Sequence, residues 1–178
     1  MRLEVKLSGP GAALIRSDRI AERVKAIGAE IDRDYDGKTI QMVVVLDGAW
    51  VFAADLARAI RSNVVVHFVR AASYGSGKSS SGRVRMAGIR ELEITDQDVI
   101  LVEDIIDSGR TAAGLIAGLE RLGPRSLRVV SLLSKPTRRA IDVQIDYLGF
   151  EIPNDFVVGY GMDFGQNYRN LPDIRVID

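Results

Sequence analysis

Apolar positions return along this chain in two alternating rhythms. Ile20, Val24, Ile27 and Ile31 recur every three or four residues, with Asp, Glu, Arg and Lys between them. That spacing predicts a helix over 17–31 with Ser17 as its cap. Tyr35-Asp36-Gly37-Lys38 reads as a turn. Residues 42–46 (MVVVL) form an unbroken, mostly β-branched run, as expected of a strand covered on both faces. Residues 49–60 (AWVFAADLARAI) predict a largely buried helix, and 64–69 a second strand. Residues 73–86 are rich in Gly, Ser and Arg and have little to bury, which predicts a mobile surface loop. A strand over 99–102 and a helix over 111–122 follow, the helix closed by Gly123-Pro124. Further strands are predicted at 127–133, 147–150 and 156–160. Alternation of strand and helix calls for an α/β fold around a central, mostly parallel sheet flanked by helices.

Composition narrows the function. A chain of 178 residues fits one domain, and its 47% apolar content suffices for a full core. The 24 basic residues balance the 24 acidic ones, which argues against a protein that coats nucleic acid. Cysteine is absent, so disulfides, thiolate metal sites and cysteine nucleophiles are excluded. That absence suits a reducing, cytoplasmic setting. The first 20 residues lack the apolar segment of a signal peptide, and no run is long enough to cross a bilayer. No membrane partner is expected.

In parallel α/β sheets, ligands bind beyond the carboxyl ends of the strands. The residues after each apolar run are therefore the candidates: Asp47-Gly48, Ser73-Tyr74, Glu103-Asp104, Ser134-Lys135 and the segment after Val158. In the turn from Asp107 to Thr111, Gly109 permits a tight bend and a helix begins, so backbone N–H groups can hold a phosphate. Plain N-capping by Asp107, Ser108 or Thr111 explains the same spacing. Neither a G-x-x-x-x-G-K-[ST] nor a G-x-G-x-x-G pattern is present. Glu103 and Asp104 would repel a phosphate at this edge unless sugar hydroxyls or a divalent cation compensate. A ribose phosphate uses both halves, with acids on its hydroxyls and amides on its phosphate.

Residues 99–115, VILVEDIIDSGRTAAGL, resemble the phosphoribosyl diphosphate binding motif of type I phosphoribosyltransferases. Over 14–177 the chain resembles the hypoxanthine-guanine branch, through LDGAWVFAADL, the Ser73-Tyr74 pair, LLSKPTRR and YLGFEIPNDFVVGYGMDFGQNYRNLP. This resemblance implies a type I phosphoribosyltransferase fold, with a core over 38–150 and a small hood from 1–20 and 151–178. It implies transfer of phosphoribose from 5-phospho-α-D-ribose 1-diphosphate to a 6-oxopurine, with Mg2+ as cofactor and a homodimer or homotetramer as the assembly. By resemblance, Glu103 and Asp104 hold the ribose hydroxyls, partly through magnesium. Asp107, Ser108, Gly109, Arg110 and Thr111 hold the 5′-phosphate, and Asp107 is the acid/base near purine N7. Lys135 would bond the 6-oxo group, Phe156 stack on the purine, and Val157 meet its edge. Asp163, counted with the purine-binding residues, would hold a second magnesium on the diphosphate side, and Arg169 would contact diphosphate. Ser73 and Tyr74 would open a lid loop.

Two positions depart from the family pattern. Asp47, before Gly48 in the diphosphate loop, stands where many relatives carry Lys, often after a cis peptide. Diphosphate binding there is expected to rest on the main chain, magnesium and Arg169. Arg110 stands where many relatives have Lys, with little effect expected if it faces solvent. Three other readings stay open at this point. They are a xanthine- or guanine-preferring relative, a regulatory nucleotide-binding protein of the same fold, and a Rossmann-type dehydrogenase, which the missing glycine fingerprint disfavours.

Overall fold

A computed structural model describes residues 10–73 and 84–177. In chain order the elements are β1 (Ala13–Ile15), α1 (Ser17–Asp34), β2 (Thr39–Leu46), α2 (Trp50–Ala59), β3 (Asn63–Ser73), β4 (Val84–Ala87), β5 (Asp98–Ile106), α3 (Arg110–Glu120), β6 (Ser126–Ser134), a 3-10 turn (Pro136–Arg138), β7 (Tyr147–Glu151), β8 (Val157–Val158) and β9 (Ile174–Val176). The main sheet has the order β4-β3-β2-β5-β6-β7. Strands β3 to β7 in that order run parallel, and β4 is antiparallel on the edge. β1, β9 and β8 form a second, antiparallel sheet from both ends of the chain. The expected α/β class, with a small layer built from the two terminal regions, is the one observed.

Pleating explains why β2 and β5 read as unbroken apolar runs. Met42, Val44, Ile100 and Val102 enter a core beneath α1 and α2. Val43, Val45, Val99 and Leu101 point the other way, into a core beneath α3. Burying each such side chain stabilises the fold by about 1.5–3 kcal/mol, so the middle of each strand, 42–45 and 99–102, is apolar on both faces. Ile20, Val24, Ile27 and Ile31 form the buried face of α1, as their spacing predicts. Asp32, on the same helix, accepts the N–H groups of Arg61 and Ser62 at 2.9 Å each and ties α1 to the turn before β3.

Three expectations need correction. Ser17 is the first residue of α1 and not its cap. Its N–H donates instead to Asp173 at 2.9 Å, a partner from the far end of the chain. Strand β5 runs on past Val102 to Ile106, so Glu103 and Asp104 lie within it. Of the loop expected over 73–86, Ser73 belongs to β3 and 84–86 to β4, paired in register from Ser73 to Val84. Edge strands carry free N–H and C=O groups, and a returning segment satisfies them wherever it lies in the sequence. Residues 74–83, with the expected lid residue Tyr74, and residues 1–9 of the expected hood lie outside the described residues. Strands β1 and β9 were not expected at all, since three residues carry no readable period.

The topology creates the site. β2 continues through α2 to β3 on one side, while β5 continues through α3 to β6 on the other. The chain diverges between the carboxyl ends of β2 and β5, and a crevice opens there. One apolar strip stays uncovered: Val66 and Phe68 on β3 are 42% and 55% exposed, and Trp50 on α2 is 49% exposed. Among the described residues, no helix is long and apolar enough to cross a membrane.

Candidate active site

Two adjoining cavities fill the crevice. One, of about 230 Å³, is lined by Gly48 and by residues 103–109 with Thr111 and Ala112. The other, of about 280 Å³, is lined by Asp47, Lys135, Phe156, Val157, Asp163 and Arg169. Gly48, Asp104, Ile105 and Asp107 face both. Almost all the predicted residues therefore meet in one place. Arg110 does not; it is exposed at the first position of α3, as expected for a side chain that points to solvent.

The turn after β5 favours the phosphate reading over plain capping. The N-cap of α3 is Gly109, at φ 81°, and no side chain caps the helix. Among the described residues the first turn meets only one side-chain acceptor, the Ser108 hydroxyl, 3.5 Å from the Arg110 N–H, so the N–H groups of Thr111 and Ala112 stay available at the positive end of the helix dipole. Gly109 also lies so close to the Ile141 carbonyl that a Cβ there would collide with it. The turn is clamped from behind by the segment after β6. Ala140 and Ile141 donate their N–H groups to the Ser108 carbonyl at 3.0 and 3.1 Å. Arg139 reaches the carbonyls of Ile106 and Asp107 at 3.2 and 3.3 Å and the Ser134 hydroxyl at 2.7 Å. Arg139 had no predicted role. The Arg138-Arg139 doublet was its only visible signal, and a doublet on a loop is usually solvated.

Across the crevice, the loop after β2 makes a second close approach. The Leu46–Asp47 peptide is cis. A Cβ on Gly48 would collide with the Asp104 carboxylate, and one on Gly161 with the Gly48 carbonyl. Only glycine at 48 and 161 lets these two backbones approach each other and the Asp104 carboxylate so closely. Phe156 is 52% exposed, so it is not a core residue; its ring meets Phe164 edge-on at 5.5 Å between centroids. Val157 beside it is buried. Lys135 is 7% exposed and directed at the same cavity, and its side chain has no hydrogen-bond partner among the described residues.

Charge in the cleft follows a pattern. Asp107 pairs with Arg138 at 3.2 Å, Asp163 with Arg169 at 2.8 Å, and Asp47 with Arg70 at 3.1 Å. Arg169 is further fixed by a 2.7 Å hydrogen bond to the Gly161 carbonyl. Glu103 and Asp104 have no ion-pair partner among the described residues. Burial, and then the charge of Asp104, pushes the Glu103 carboxyl well above its ordinary range. Burial pushes Asp104 up to about 6, against the pull of nearby N–H groups and Arg169. Such a pair favours whatever brings positive charge or hydroxyl donors to it. No group of three acids or histidines that could hold a metal ion occurs among the described residues. A divalent ion here would take part of its ligands from substrate oxygens and water.

A tight turn at a helix start, two acids without an ion-pair partner, an exposed aromatic ring and a buried ammonium thus stand together around one crevice. The family model of the phosphoribosyl transferase domain matches residues 12–165. The hypoxanthine-guanine phosphoribosyltransferase of Mycobacterium avium is 43% identical over 173 residues, covering 94% of this chain and 85% of that protein. The Bacillus subtilis strain 168 protein of the same name is 38% identical over 164 residues, covering 92% and 91%. A crystal structure of a hypoxanthine-guanine phosphoribosyltransferase from Bacillus anthracis matches with TM-score 0.90 at 41% identity, over 95% of this chain and 99% of that one. A hypoxanthine phosphoribosyltransferase from Staphylococcus aureus matches with TM-score 0.88 at 35% identity, over 95% and 92%. The chain belongs to the phosphoribosyltransferase family, in its hypoxanthine-guanine branch.

The raised carboxyls have a measurable cost in the unliganded protein. Asp104 ionises at about 6 when folded, against 3.8 for an ordinary aspartate. Folding therefore favours its protonated form. That contribution is complete below about pH 4 and is lost as pH rises through about 6. Asp104→Asn is expected to stabilise the unliganded protein above that window, by about 1–3 kcal/mol. The gain should shrink toward zero as pH falls below about 4. Denaturant midpoints of both proteins across the window check it; a gain that does not vary with pH would contradict the burial argument.

Proposed function

We propose that this enzyme transfers the 5-phosphoribosyl group of 5-phospho-α-D-ribose 1-diphosphate to N9 of hypoxanthine, and of guanine, giving IMP or GMP and diphosphate. The observation that carries the reading is the uncapped amide turn at Gly109 beside the unpaired Glu103–Asp104 acids. Either feature alone has a structural explanation; together they fit a ribose phosphate. The amides of 107–111, with the Ser108 and Thr111 hydroxyls, take the 5′-phosphate. Glu103 and Asp104 take the ribose hydroxyls. Glu103, Asp104 and Asp163 would hold Mg2+, which would supply positive charge against that of the diphosphate.

The purine lies against the exposed Phe156 ring, with Val157 at its edge. Lys135 can only donate hydrogen bonds, so it accepts a 6-oxo group and rejects a 6-amino group. Asp107 takes the N7 proton as the N9–C1′ bond forms and the C1′–oxygen bond to diphosphate breaks. Its Oδ1 lies 3.2 Å from the Arg138 Nε, which holds the carboxylate at the cavity wall. Arg169 and the loop at Asp47-Gly48 face the departing diphosphate. The core over 38–150 supplies the sugar-phosphate side, and the C-terminal part of the hood, 151–178, supplies most of the purine side.

A homodimer or homotetramer is the proposed assembly; the exposed apolar side chains of Val66, Phe68 and Trp50, which a second copy would bury, support it.

Incubation with magnesium, 5-phosphoribosyl 1-diphosphate and each of hypoxanthine, guanine, xanthine and adenine tests the activity. Nucleotide is expected from the first two, and none from adenine. No product with any base would remove the proposal, and a preference for adenine would remove the role of Lys135. Asp107→Asn is expected to keep binding of the ribose substrate while turnover falls by about 10²-fold or more. Unchanged turnover would leave Asp107 a structural residue. Phe68→Glu is expected to yield monomers by light scattering after size exclusion; an unchanged mass would exclude that face.

A further inference from the structure

Asp47 poses a problem within the proposed reaction. It lines the same cavity as Arg169 and Lys135, where a polyanion is to be bound. A carboxylate facing diphosphate is repulsive, and nothing in the loop's backbone geometry requires an acid there. Its one ion-pair partner among the described residues is Arg70, with Nη2 3.1 Å from Oδ1. The pairing follows from strand register. β2 and β3 are parallel, and Leu46 lies opposite Arg70 as the last pair of the ladder. Asp47 and Arg70 therefore emerge together at the carboxyl edge of the sheet. Ala71, the next residue, lines the sugar-phosphate cavity.

We propose that Arg70, held in place by Asp47, is a substrate-facing cation that binds the diphosphate group. This inference rests on the proposed reaction and deepens it: Asp47 becomes a positioning residue, and the loop's positive charge comes from the neighbouring strand. Arg70 has the donors for the task. A guanidinium carries five N–H groups, and the contact with Asp47 engages one end of it. Its side chain is 66% exposed, so the remainder stays open to a ligand. The other cleft arginines are more committed. Arg169 is held by both Asp163 and the Gly161 carbonyl and is only 20% exposed, while Arg138 is taken up by the catalytic candidate Asp107. A strap between strands is a weak alternative, because ion pairs this exposed contribute little to stability.

The two readings of Asp47 predict opposite signs. If Asp47 merely repels diphosphate, Asp47→Asn tightens binding. If it positions Arg70, the same change weakens binding. Calorimetry with magnesium diphosphate, in the absence of purine, reads this directly and does not depend on turnover. Arg70→Gln is expected to weaken magnesium diphosphate binding about tenfold, as for loss of one charge-assisted contact. Asp47→Asn should weaken it about threefold, since a guanidinium left free to move still carries its charge. Arg70→Lys should restore part of the loss. In steady-state assays the KM for 5-phosphoribosyl 1-diphosphate should rise in parallel, with the KM for hypoxanthine and the thermal midpoint unchanged. Wild-type affinity in Arg70→Gln, tighter binding in Asp47→Asn, or a loss of thermal stability that lowers both substrate affinities together would overturn the proposal. If the wild-type protein turns over no purine, the reaction assignment fails, while the calorimetric comparison still decides the role of Arg70.

Discussion

The two carboxylates at Glu103 and Asp104 have no ion-pair partner among the described residues, and the other charges of the cleft are arranged around them. They sit near the end of the central strand, buried on one side by two apolar cores and open on the other to the crevice. A buried acid without a cation is an unfavourable element of an unliganded fold. Every other acid in the cleft has an arginine: Asp107 has Arg138, Asp163 has Arg169, and Asp47 has Arg70. Leaving one pair uncompensated concentrates the electrostatic demand where sugar hydroxyls and a divalent ion can answer it. Stability is given up locally, and affinity for the ligand is the return.

Around these acids the protein binds mainly with its backbone. Two loops approach from opposite strands, and glycines allow the contact: Gly109 against Ile141, and Gly48 between Asp104 and Gly161. Main-chain amides are fixed dipoles that cannot rotate away, so they suit a phosphate that must be held while a bond elsewhere breaks. Their rigidity is supplied from outside the loops. Arg139 and the amides of Ala140 and Ile141 hold the turn after β5, and Arg169 holds the Gly161 carbonyl. Arg139, Ala140 and Ile141 are neither acids nor nucleophiles, which is why a search for reactive groups passes over them.

Much of this was readable in advance, for identifiable reasons. Period-two and period-3.6 patterns exposed the central strands and the helices, because each buries one or two faces in a single core. The run from Val99 to Thr111 carried its chemistry in consecutive residues, so a local motif revealed it. Lys135, Phe156, Asp163 and Arg169 became interpretable only through likeness to known enzymes; singly, each resembles an ordinary surface or core residue. The boundaries and the short strands were not readable. Ser17 looked like a helix cap, yet its N–H is met by Asp173; residues 84–86 looked like loop, yet they pair with an open sheet edge.

By itself, then, the sequence determined the layered α/β architecture and the tight turn that starts a helix after Asp107, because both depend on patterns within about a dozen adjacent residues; the phosphate reading of that turn came from resemblance. Tertiary structure alone decided which charges are paired and which are left bare. The register of β2 on β3 brings Arg70 to Asp47, the fold of the segment after β6 brings Arg138 to Asp107, and the crossing at Gly161 sets Arg169 on Asp163. Ion pairing and burial depend on distances between residues far apart in the chain, and composition cannot encode a distance. That is why an evenly charged sequence gives no hint of a cleft whose two central acids stand uncompensated.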